Sequence, residues 1–327
     1  MSSRLRLQLA SLLVAVALGA AACSEVVPPA SSEPPPPSPS SIVAPTADAT
    51  PAAVTIVDDE GTTVVVPTRP ERIVSLTPAA TEILFAIGAG DRVVAKVDDI
   101  TPYPPEADRL PIVATFEGVD VERIVGLEAD LVIAGGLDFT PSDVVVQMRG
   151  LGIPVVVLYA AGVDDALRGI ELIGEAAHEA DAGRALAASM RAAIGELAGL
   201  VADAPRPRTF YEIDASNAIY TAPADSVYAE MLRLAGADPI TTDASYVISL
   251  ERLVAADPEV ILLGDAAYGV TAEAVAARPG WSSMSAVAAG AIFAVDDVVI
   301  TRPGPRLVDG LRALIAAIHP DVALPPG

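Results

Sequence analysis

The sequence predicts an α/β protein of two Rossmann-like lobes, with mostly parallel sheets flanked by helices, joined by one long backbone helix. Three observations carry that prediction. The stretch ERIVGLEADLVIAGG, from Glu122, returns without a gap as ERLVAADPEVILLGD, from Glu251, so one helix–strand unit is built twice. Around each copy, short β-branched runs alternate with helical patterns, the signature of parallel strands with crossover helices. Between the copies, Leu186, Met190, Ile194, Leu197 and Val201 recur at steps of three and four, the period of one apolar helix face.

The chain opens with Arg4 and Arg6, then an apolar run from Leu7 to Ala22. That run is short for a membrane span and has the cationic flank of a secretory signal. Cys23, the chain's one cysteine, follows it directly, and one cysteine forms no internal disulfide. The N-terminus resembles a bacterial lipoprotein signal with Ala20 at the position where leucine is usual, which implies lipid on Cys23. The plainer alternative is an ordinary signal peptide followed by an unmodified cysteine. From 24 to about 52 the chain is rich in Pro, Ser and Ala, with the run PPPP. Such a segment buries too little apolar surface to offset its ordering entropy and reads as a disordered, semi-extended tether.

The folded part begins with VTIVDDEGTTVVVP, two β-branched runs around a Gly-containing turn, hence a hairpin. RIVSL (72–76) is a short buried strand. Thr77 and Pro78 supply an N-cap and first-turn proline for the helix AATEILFAIG, which Gly88 closes. Strand RVVAKV, the loop DDITPYPPEADRLP, a helix after Asp120 and strand LVIAGG follow. PSDVVVQMRGLG is a helix and IPVVVLY the lobe's last strand. The long helical region then runs from Asp164 to Ala202 and ends before Pro205 and Pro207; glycines at 183, 195 and 199 permit local bends. In the second series RTFYEID is a strand, SVYAEMLRLAGA a helix, and the repeated unit starts at Ser249. GWSSMSAVAAGAIFAV gives a helix and a strand, and PRLVDGLRALIAAIHP the final helix. The expected divisions are a signal peptide (1–22), a lipid-anchored tether (23–53), a first lobe (54–162), a linking helix region (163–204) and a second lobe (205–327).

In both copies of the repeat an N-cap residue, Asp120 or Ser249, places a glutamate at the second helical position. Glu122 and Glu251 there point outward and are favoured by the helix dipole. Either alone is an ordinary surface carboxylate. Two on matching parts of two lobes form a paired handle for a partner with paired cations.

RIVSLTPAATEILFAIGAGDRV, YPPEADRLP, the two Glu-Arg units, PGWSSMSAVAAGAIFAV and GPRLVDGLRAL together resemble the iron-chelate, cobalamin and haem-type (class III) substrate-binding proteins of ABC transporters. The resemblance spans about 54–320. It implies a non-enzymatic receptor, held by a lipid anchor at the outer face of the cell membrane. A corrinoid, ferric siderophore or haem would be captured between the lobes and delivered to a permease–ATPase complex. It implies no intrinsic cofactor, a monomer, and docking of Glu122 and Glu251 on permease arginines. It places the ligand among loops carrying Thr77, Asp99, Tyr103, Phe116, Asp138 and Phe139 in the first lobe. In the second, those loops carry Asp214, Tyr220, Tyr246, Tyr268, Trp281 and Arg302. Several have a second role open: Thr77 as N-cap, Trp281 as a plug at a helix start, Arg302 as a surface charge. Arg306 reads as a cap of the final helix. A single stiff helix between the lobes implies small domain motions on binding.

Composition narrows the field. A net charge of −23 excludes the basic footprint of a nucleic-acid binder. Aromatics are only 4% of residues, few for a cleft lined by rings. His178 and His319 read as ordinary helix residues, too far apart for a histidine-clustered metal site; Tyr103 is then the candidate axial ligand. Two rivals belong to other classes: a two-lobed enzyme of glycosyltransferase or chelatase type, and a surface adhesin or scaffold. Against the enzyme, the chain holds no Gly-rich dinucleotide fingerprint, P-loop, GxSxG elbow or CxxC.

Overall fold

The structure, a computed structural model, describes residues 52–135 and 140–325. Cys23, Asp138 and Phe139 lie outside the described residues. The chain enters through a hairpin, β1 (Val54–Val57) and β2 (Thr63–Val66), whose turn is pinned by Asp58 accepting from the Glu60 and Thr62 amides at 3.1 and 2.9 Å.

The first lobe then runs β3 (Ile73–Ser75), α1 (Pro78–Ala86), β4 (Val93–Val97), β5 (Ile112–Thr115), β6 (Gly118–Val119), α2 (Val121–Gly126), β7 (Leu131–Gly135), α3 (Ser142–Gly150) and β8 (Val155–Leu158). Its sheet is ordered β6-β5-β4-β3-β7-β8 and is parallel except for the edge strand β6. Every residue of β3 and β7 is buried, because helices cover both faces. That is why these strands read as continuous apolar runs.

Two helices follow, α4 (Val163–Ala176) and α5 (Ala180–Leu200), where the sequence predicts one. The break falls at His178, in the left-handed region at φ +58°, so His178 is a turn residue rather than a helix residue. Its cause is a contact between distant turns. A Cβ on Gly174 would lie 2.9 Å from the Gly183 Cα, and one on Gly183 would lie 3.0 Å from the Gly174 Cα. Two backbones touching at glycine turn the chain back on itself.

The second lobe comprises β9 (Arg208–Asp214), β10 (Ile219–Thr221), α6 (Val227–Leu234), β11 (Asp238–Pro239), β12 (Val247–Ile248), α7 (Leu250–Ala256), β13 (Val260–Leu263), α8 (Ala272–Ala276), α9 (Ser285–Ala289), β14 (Ile292–Ala294), α10 (Asp297–Thr301) and α11 (Leu307–Ile318). Its sheet is ordered β12-β10-β9-β13-β14, with β11 also beside β9; β9, β13 and β14 are parallel and β10 antiparallel. The largest apolar cluster passes from Ile83 and Leu84 of α1 through Ile170 of α4 and Leu197 of α5 to Met231 of α6 and Leu311 of α11. One continuous core therefore serves both lobes, and each sheet's other face has its own smaller cluster.

Candidate functional site

The repeat is closed by the same side-chain clip in each lobe. Asp130 accepts from the Glu71 and Arg72 amides at 2.8 and 2.9 Å, and Glu259, its counterpart, accepts from the Arg208 amide at 3.0 Å. The Arg72 Nε donates to the Leu127 carbonyl, and the Arg208 Nε to the matching Ala256 carbonyl. Glu128 and Asp257, again counterparts, both adopt positive φ, +54° and +43°. At the start of each unit, Asp120 accepts from the Arg123 amide and Ser249 from the Arg252 amide. Glu122 and Glu251 are thus both second residues of equivalent helices, α2 and α7, and both are exposed. Backbone and Ser249 hydrogen bonds hold the Glu251 carboxyl below its ordinary value.

Between the lobes lies an open cavity of about 750 Å³. One wall is the start of α1 and the ends of β7 and β8; the other is α10 and Tyr228 of α6, with α4 behind. Space exists because small residues line it, among them Ala79, Ala80, Ala160, Ala161 and Gly169. Among the described residues its aromatic lining is Tyr159 and Tyr228, and its charged lining is Asp165, Asp297 and Arg302. Asp297 accepts from the Tyr211 hydroxyl at 2.8 Å. Burial raises the Asp297 carboxyl above its ordinary value, although the Tyr211 hydrogen bond opposes this. Burial also pushes the Tyr211 and Tyr228 hydroxyls upward, so both stay protonated donors.

An ionic cluster closes one flank. Glu82 of α1 is 2% exposed, a charge in an apolar helix face that needs partners. It receives Arg306 through Nε at 3.0 Å and Nη2 at 2.7 Å, and Arg302 Nη1 at 2.8 Å. Arg302 also grips Asp99 with both terminal nitrogens, at 2.9 and 3.0 Å. Two cations from the second lobe thus meet two carboxylates from the first, in the bidentate geometry that makes such pairs strong. The Arg306 guanidinium sits 4.4 Å over the Tyr103 ring. Arg306 occupies the position just before α11, but its side chain crosses to the other lobe instead of capping the helix.

Of the residues expected in the cleft, Thr77 and Arg302 line it. Thr77 does so while also capping α1 through the Ala80 amide at 3.1 Å. Asp99 and Tyr103 reach the site through Arg302 and Arg306. Phe116 stands fully exposed between β5 and β6, and Tyr246 and Tyr268 are exposed as well, all outside the cavity lining. Asp214 caps its own turn at Ser216, and Tyr220 is a sheet residue paired with Asp214 and Val247. Trp281 is 3% exposed, edge-on to Phe210 and 4.7 Å beneath the Arg278 guanidinium. It is the plug of the second lobe's core, not a cleft residue. Glu82 and Asp297 were not foreseen. Glu82 has a visible signal, an acid inside an apolar helix, but its partners lie more than 200 residues away.

The periplasmic binding protein family model matches residues 73–299. The chain is 34% identical to an uncharacterized ABC transporter substrate-binding lipoprotein, YvrC of Bacillus subtilis, over 82% of this chain and 86% of the relative. Among solved structures it is similar to the periplasmic vitamin B12 binding protein BtuF of Vibrio cholerae, at 27% identity and a TM-score of 0.67, covering 76% of this chain and 97% of that one. It is equally similar to the periplasmic heme-binding protein RhuT from Roseiflexus, at 27% identity and a TM-score of 0.67, covering 76% and 98%.

Proposed function

This chain belongs to the periplasmic binding protein family, and from that premise we propose a receptor role for it in an ABC importer: a metal chelate is captured in the inter-lobe cavity and handed to a permease–ATPase complex. The role is binding and delivery without chemistry. The ligand class is a corrinoid, ferric siderophore or haem, and the vitamin B12-binding and heme-binding proteins it resembles support the first and the last. Lipid on Cys23 and the Pro-rich tether hold the receptor at the outer face of the membrane, a reading supported by the relative whose name includes lipoprotein. Neither the two-lobed enzyme nor the adhesin has support in these likenesses.

The observation that carries this reading is the cavity itself: a space of about 750 Å³ between two lobes of like build, a usual size for a small-molecule site. Glu122 and Glu251 are the docking pair. Their support is equivalence: the same helical position, the same exposure and the same clip behind each. Exposed ion pairs are individually weak, so the pair sets register and association rate more than affinity. The test is reconstitution with the cognate permease–ATPase. Glu122→Arg with Glu251→Arg abolishes uptake and leaves chelate affinity in solution intact. Uptake at the wild-type rate removes the docking roles, and failure of any chelate to bind removes the receptor reading.

A further inference from the structure

The cavity carries a charge rule. Among the described lining residues Arg302 is the cation, beside the acids Asp165 and Asp297. A free arginine there would welcome a carboxylate ligand, because its planar fork matches one bidentately. This arginine is not free. Its terminal nitrogens are held by Asp99 at 2.9 and 3.0 Å and by Glu82 at 2.8 Å, and its side chain is 12% exposed. Arg306, beside it, spends its fork on Glu82 and its face on Tyr103. Asp165 keeps Arg168 at 3.1 Å.

We propose that Glu82 and Asp99 are specificity-determining residues: they mask Arg302 and Arg306, so that the cleft selects chelates without free carboxylates and rejects anionic ones. The inference rests on the receptor reading above and narrows its ligand class. A ligand carboxylate could take both terminal nitrogens of Arg302 only by displacing Asp99, leaving that carboxylate, 7% exposed, without its cation. It would also approach the half-buried Asp297, a like charge that repels it, while Asp165, 40% exposed and paired with Arg168, contributes little. This is selection by repulsion and by unpaired charge as much as by attraction. An amide-rimmed macrocycle meets neither obstacle. It brings no net negative charge, and its N–H groups are donors for the two acids.

Haemin, with two propionates, cyanocobalamin, whose rim is amides, and ferrioxamine B, a cationic ferric hydroxamate, separate the cases by absorbance titration of the purified chain. The wild type prefers cyanocobalamin or ferrioxamine B over haemin by about tenfold or more, the scale of one charge-assisted hydrogen bond lost. Asp99→Asn removes one of the two carboxylates on Arg302, leaving its fork with a charge to spare while Glu82 keeps Nη1 and Arg306; it raises haemin affinity relative to the neutral or cationic ligand by about tenfold. Adding Arg302→Gln to that variant removes the gain, which a general change in apolar stickiness would not do. Wild-type preference for haemin overturns the masking rule and leaves the receptor reading standing, and so does a gain that survives Arg302→Gln. Binding of none of the three overturns the receptor reading and the rule with it.

Discussion

Asp265 follows β13 in a 3-10 turn, 4% exposed, with one carboxylate oxygen that finds no hydrogen-bond partner among the described residues. Its neighbour Glu212 is fully buried and takes the Arg278 guanidinium at 2.6 and 2.9 Å, so the local cation serves Glu212 first. Burial, then the Glu212 charge, pushes the Asp265 carboxyl from 3.8 up to about 6. A folded value above the unfolded one means that Asp265 favours the fold below about pH 4 and loses that contribution as the pH rises through about 6. Asp265→Asn therefore raises the melting temperature at pH 8, and its advantage shrinks to nothing near pH 4. Thermal unfolding at pH 4, 6 and 8 checks it; an offset equal at all three values contradicts the assignment. Nothing in the local sequence marks this residue. Asp265 follows a glycine, as turn acids do, and only the return of β9 beside β13 brings Glu212 against it.

At the scale of elements, what was legible follows from what decides each element. β3 and β7 read correctly because burial on both faces leaves an unbroken apolar run, and α1 because Thr77, Pro78 and Gly88 mark its ends locally. The break between α4 and α5 was not legible, since it arises where Gly174 meets Gly183, a contact that periodicity does not encode. That contact is testable by contrasting glycines. Gly174→Ala places a methyl 2.9 Å from a backbone atom that has no room to yield, an overpacking cost of about 1–3 kcal/mol. Gly195→Ala, also helical but with open space at its Cβ, stabilises by about 0.5–1 kcal/mol through helix propensity. Urea midpoints of the two variants moving in the same direction would refute the glycine-contact account.

For the whole molecule, small motion on binding is a prediction that no longer rests on one stiff helix, because the linker is a glycine-packed pair with α5 about 30 Å long. What restrains the lobes is the apolar cluster continuous from α1 to α11 and the Glu82–Arg302–Arg306–Asp99 cluster on the flank. The same long-range pairing explains why the cleft was half legible. Thr77 and Arg302 sit in loops that a strand–helix count locates, whereas Glu82 acquires its role only when α11 folds across it. Opening the lobes by tens of degrees would expose that shared apolar core to water, at about 25 cal/mol per Å² uncovered, and would part Glu82 and Asp99 from Arg302 and Arg306. Loading should therefore shift the backbone by about 1 Å or less, as in pre-organised complexes. Spin labels on cysteines replacing Val146 of α3 and Glu273 of α8, both exposed, in a Cys23→Ser background, report the inter-lobe distance directly. The distribution should keep its centre when the chelate binds; a ligand-driven displacement of many ångströms would mean that neither the shared core nor the ionic cluster holds the lobes.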